Sequence, residues 1–88
     1  MKLSIVQAAM TYSKGEGYLG RVHFTVETHA KPYEITLFSK KGQEWEYALL
    51  FLNESGNEEQ ITAVEDWLEE DDEAFDQLVQ ASLNSLPR

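Results

Sequence analysis

Trp45-Glu46-Tyr47-Ala48-Leu49-Leu50-Phe51-Leu52 is the most apolar stretch of the chain, and its period decides the fold. Side chains of a strand alternate between two faces, whereas those of a helix return about every 3.6 residues. Taken as a strand, the stretch puts Trp45, Tyr47, Leu49 and Phe51 on one side. Glu46, Ala48, Leu50 and Leu52 fall on the other. Both sides are therefore largely apolar. If the first set docks beneath helices, the second is thrown outward.

Upstream, the same period recurs. Residues 18–29 alternate, with Gly20, Val22, Phe24, Val26 and Thr28 on one side and Leu19, Arg21, His23, Thr25, Glu27 and His29 on the other. That is a half-buried strand with a wet back. Tyr33, Ile35 and Leu37 continue one apolar face against Glu34 and Thr36, after a tight connection at Ala30-Lys31-Pro32. The segment from Lys2 to Tyr12 reads as a first strand, rich in β-branched and small apolar residues, closed by the turn Ser13-Lys14-Gly15-Glu16-Gly17. A second turn, Ser39-Lys40-Lys41-Gly42-Gln43, leads into the strand at Trp45.

Downstream, Asn53-Glu54-Ser55-Gly56-Asn57 breaks the strand and the period changes. Asn57 followed by Glu58, Glu59 and Gln60 has the form of a helix N-cap with a capping-box glutamine; Ser55 with Glu58 is the alternative box. Ile61, Val64 and Leu68 make the stripe of an amphipathic helix, with Trp67 on its flank. Glu69-Glu70-Asp71-Asp72-Glu73 then opposes the dipole of a helix that ends there and complements one that starts there. A break near Asp71 follows, with Asp71 or Asp72 capping a second helix whose stripe is Phe75, Leu78, Val79, Leu83 and Leu86, stopped by Pro87. One continuous bent helix over 58–85 is the competing reading. The expected order is β-β-β-β-α-α. It gives a four-stranded antiparallel meander with both helices on one face, an α+β domain spanning residues 1–88.

Composition bounds the function. A chain of 88 residues, 42% hydrophobic and without cysteine, has room for one packed core and offers no disulfide, no thiol nucleophile and no thiolate metal site. This is the composition expected of a cytoplasmic protein. The N-terminus has no long apolar run and reads poorly as a signal peptide, and no stretch has the apolar length of a membrane helix. Charge is divided unequally: residues 1–44 carry six bases and four acids, residues 45–88 twelve acids and one base, out of a net −9. A surface of that sign repels phosphate backbones and anionic lipid, so neither direct nucleic-acid binding nor membrane binding is expected.

Candidate chemical sites are weak. Gly15-Glu16-Gly17-Tyr18-Leu19-Gly20 has the letters of a dinucleotide fingerprint, but those glycines lead into a strand where a helix is required. His23, Glu27 and His29 share a strand face, with Glu34 as a cross-strand addition. His23 lies about 13 Å from Glu27, however, so one metal ion cannot hold all three. The acidic run has no glycine for a calcium loop. No nucleophile elbow is present, and no cofactor or enzymatic activity is expected.

What remains is surface. Phe38, Ala48, Leu50 and Leu52 are expected to form a contiguous outward apolar patch rimmed by Arg21, His23 and Thr25, and monomers seldom expose such patches beyond a few hundred Å². The leading expectation is a non-enzymatic protein-interaction module that self-associates as a homodimer through the sheet face or an adjacent edge. The alternative is an acidic nucleic-acid mimic, in which Glu69, Glu70, Asp71, Asp72, Glu73 and Asp76 occupy the groove of a basic partner protein.

Overall fold

Short turns join the strands, and short turns can only connect antiparallel neighbours. The computed structural model, which describes residues 1–86, has the order β1 (Leu3–Ser13), β2 (Gly17–Val26), β3 (Tyr33–Ser39), β4 (Glu46–Phe51), α1 (Glu58–Glu70) and α2 (Asp72–Leu83). The strands pair in the spatial order β1-β2-β3-β4, each antiparallel to the next. The chain breaks into two helices rather than one bent one. Pro87, expected just past the second helix, lies outside the described residues.

Both helices lie on the same face of the sheet. Val22, Phe24 and Val26 of β2, Tyr33, Ile35 and Leu37 of β3 and Leu49 of β4 meet Ile61, Val64, Leu68, Ala74, Leu78 and Val79 in one hydrophobic cluster. Each large apolar side chain buried there contributes roughly 1.5–3 kcal/mol of transfer free energy. Helix α2 packs on β1 and β2, while α1 packs on β4 and against α2. Gly20 lets α2 come close to β2. A Cβ at that position would stand 2.7 Å from Met10 Cε and 3.2 Å from the Cβ of the buried Ser82. At Gly17 the constraint is conformational as well, since φ is +93° and a Cβ would meet the Ser39 carbonyl oxygen at 2.6 Å.

Two local departures from period two have clear causes. In β1, Ile5 pairs with Phe24 and Gln7 with His23, so Val6 is an extra residue in a β-bulge and is exposed. In β2 the alternation stops at Val26, because Thr28 takes φ +72° and turns the chain. His29 is consequently not on the strand face expected for it.

Asp71 joins the two helices. Its backbone N–H donates to the Trp67 carbonyl at 2.8 Å, ending α1. Its Oδ1 accepts from the Glu73 and Ala74 N–H groups at 3.0 and 3.2 Å, starting α2, and its Oδ2 accepts from Trp67 Nε1 at 3.2 Å. One carboxylate thus fixes the angle at which α2 turns back onto the sheet. Asn57 caps α1 in the same way, its Oδ1 accepting from the Glu59 and Gln60 N–H groups.

The expected result of Asp71→Ala is a loss of about 1–2 kcal/mol, the upper range for an N-cap, measured as a lowered midpoint in urea denaturation. Asp71→Asn keeps an acceptor for the α2 amides and loses less than half as much. Equal stability for wild type and the alanine variant would show that Asp71 does not hold the corner.

Candidate functional site

Register decides what the uncovered face of the sheet displays. One row across it is Thr11-Leu19-Phe38-Glu46, the next Ala9-Arg21-Thr36-Ala48, and the third Gln7-His23-Glu34-Leu50. Leu50 points outward as expected and is 53% exposed, while its neighbour Leu49 is 8% exposed on the helix side. Leu19, on the same outer face, is 48% exposed.

The apolar side chains expected to form one patch are arranged in a narrower band. Phe38 stands opposite Glu46, diagonal to Ala48, so Leu19, Phe38, Ala48 and Leu50 run as a narrow diagonal from β2 to the edge of β4. Leu52 lies past the end of β4, half-buried, its N–H donating to the Pro32 carbonyl at 3.1 Å. Arg21 and His23 are not a rim: β2 is an interior strand, and they occupy the polar middle of the face. Thr25 pairs with Ser4 at its far end.

His23 and Glu34 are cross-strand partners, with Nε2 and Oε2 2.8 Å apart. Both are half-buried. They lie with Gln7, Ala9 and Arg21 around a shallow depression of about 190 Å³. His29 pairs instead with the hydroxyl of buried Tyr33, 2.8 Å from its Nδ1. The two histidines, read from the sequence as solvent-facing, are each half-buried with a partner. Among the described residues no group of three metal-ligating side chains converges.

The opposite surface is the helical layer, and its charge is of one sign. Every charged side chain of α1 and α2 is acidic, from Glu58 to Asp76. None of these carboxylates forms an ion pair among the described residues, where the pairs are His23–Glu34 and Lys31–Glu54. The Lys31 ammonium holds the Glu54 carboxyl below its ordinary value by hydrogen bonding and charge. Tyr47 shows the reverse influence. Burial pushes its phenol up, reinforced by Glu69, Glu65 and Asp66, and its hydroxyl donates to Glu69 Oε1 at 3.4 Å. Burial alone raises Tyr33.

Between the β3–β4 connection and α2 lies a groove of about 530 Å³. Trp45, Phe75 and Leu83 give it apolar walls, and Asp72, Glu73 and Asp76 stand along it. Trp45, expected on the helix side of the sheet, is found there just before β4 begins, half-buried and packed against the hydrophobic cluster. It belongs to a line of aromatic rings, with Tyr12 and Tyr18 at 4.6 Å and Tyr18 and Trp45 at 6.0 Å between centroids. A count outward from the Lys14–Glu16 turn pairs Tyr12 with Tyr18, the signal that locates this line.

No protein-family model matches the sequence, and no curated protein or solved structure matches it either.

Raised phenols give a pH prediction. The unfolded chain, with ordinary tyrosines near 10.0, loses its phenolic protons before the folded protein does. Stability contributed by Tyr33 and Tyr47 is therefore fully present below that value and is lost as pH rises through the folded one. In a spectrophotometric titration of phenolate absorbance, Tyr33 and Tyr47 ionise above the ordinary value. Glu69→Gln moves one of them down toward the ordinary value; an unchanged curve would detach Tyr47 from Glu69.

Proposed function

We propose that the protein is a small non-enzymatic interaction module that pairs with a second copy of itself through the uncovered face of its sheet, in the cytoplasm. The observation that supports this reading most is Leu50. It is a leucine on an edge strand, 53% exposed, opposite Glu34 and in line with Ala48, which is itself diagonal to Phe38. Covering such a side chain removes apolar area from water at about 25 cal/mol per Å².

The size of the face sets the strength of the contact. Four strands about 4.8 Å apart, with rows about 7 Å apart, project roughly 400 Å². A standard interface takes about 800 Å² from each partner. The pairing is accordingly weak and concentration-dependent. His23 and Glu34 come to the contact already hydrogen-bonded to each other, which lowers the cost of removing them from water. The edge of β4 is the natural extension of the surface, because its outer backbone groups have no strand beside them.

A second reading, an acidic mimic of nucleic acid, draws on the carboxylates of the helical layer, which have no ion-pair partner among the described residues. Its contacts are screened by salt, whereas those of the sheet face are not. A complex formed through the helices dissociates as salt is raised; one formed through the sheet persists.

Sedimentation equilibrium over a range of protein concentration tests the pairing. Wild type is expected to rise toward twice the chain mass of 10.1 kDa, and Leu50→Glu to stay at that mass throughout. Two monomeric proteins at every concentration overturn the proposal. Two equally dimeric ones move the contact away from Leu50.

A further inference from the structure

The groove beside α2 includes none of Leu19, Phe38, Ala48 and Leu50 of the face assigned to self-pairing, and its chemistry differs. Trp45, Phe75 and Leu83 are each half-buried, so the walls present ring and methyl surface to solvent. Aromatic rings attract cations through their negative faces, most strongly when a carboxylate stands close by to share the charge. Asp72, Glu73 and Asp76 supply carboxylates along the groove, and none has a Lys, Arg or His partner among the described residues. A groove of about 530 Å³ is the size of a few side chains, not of a folded element.

We propose that this groove binds a short basic segment of a partner protein, an arginine or lysine flanked by an aliphatic residue. The apolar neighbour lies on Leu83 and Phe75, and the cation spans from the face of Trp45 to the carboxylates. An acidic segment is repelled, and a neutral one keeps only the apolar part of the contact. The three acids do not contribute equally. Asp72 and Glu73 sit in the first turn of α2, where the positive end of the helix dipole offsets them. Asp76 is one turn further on, where that offset has faded, and it carries most of the attraction.

Titration of the full chain with the peptide Leu-Arg-Leu-Arg, followed by amide and indole N–H shifts in nuclear magnetic resonance, tests the proposal near physiological salt. The glutamate counterpart Leu-Glu-Leu-Glu serves as the control. The expected result is a saturable shift of the Trp45 indole with the arginine peptide and none with the control. Asp76→Lys, an exposed change that leaves the core untouched, is expected to weaken binding about fivefold. Glu59→Lys makes the same change of net charge at the far end of α1 and is expected to leave the affinity within about twofold. An unmoved Trp45 indole overturns the proposal. So does an equal loss in the two variants, which would mean attraction to net charge alone. Because Leu50 is not in the groove, Leu50→Glu can lose self-pairing and still bind the peptide, so the two proposals fail separately.

Discussion

A sheet covered on one side can bury only every second residue of a strand, and β4 has apolar residues in both sets. Leu49 and Leu50 are adjacent in sequence and opposite in fate, one in the core and one in water. No shift of register cures this. Sliding β4 by one residue would bury Leu50 and Ala48 but expel Leu49, Phe51 and Tyr47, a larger loss of apolar cover. The observed register is thus the better of two imperfect choices. The residual exposure of Leu50 is a property of the composition of β4 rather than an accident of packing.

Charge shows a similar division. The acids of α1 and α2 are spaced away from the core stripe, which solves burial but leaves like charges side by side on one layer. Asp71 is the exception that helps the fold. Within the acidic run it is the one carboxylate whose oxygens accept from backbone amides and an indole together. Of the others, Glu69 acts on Tyr47: with Glu65 and Asp66 it adds to the burial that raises that phenol.

Much of the fold was legible because its signals are local. Alternation over 18–29, at Tyr33, Ile35 and Leu37 and over 45–52 located β2, β3 and β4, and the asparagine at 57 and the aspartates at 71 and 72 marked the helix starts by the chemistry of capping. Less local features were not legible. The bulge at Val6 depends on pairing with β2, and the left-handed Thr28 has no glycine to announce it. His29 was consequently assigned to the wrong face. At the outer surface, period two correctly sent Phe38, Ala48 and Leu50 outward, but it says nothing about which residues become neighbours across strands. That required the register, which placed Thr36 and Glu34 beside the diagonal and Arg21 and His23 beyond them, in the middle of the face. The groove was missed for a related reason. Parity assigned Trp45 to the helix side, and parity does not say where along the strand the helices stop.

The two unlike surfaces also constrain each other. The proposed pairing through the sheet would leave both helical layers facing outward, so such a dimer would carry two acidic grooves instead of hiding them. Each copy would then offer one such groove, and a partner with two basic segments would gain from the pair by effective concentration even where each single contact is weak. Reversing the arrangement, with the helical layers in contact, would bring two sets of carboxylates together in a medium of falling dielectric. That repulsion is the physical reason to assign self-pairing to the sheet and foreign recognition to the helices.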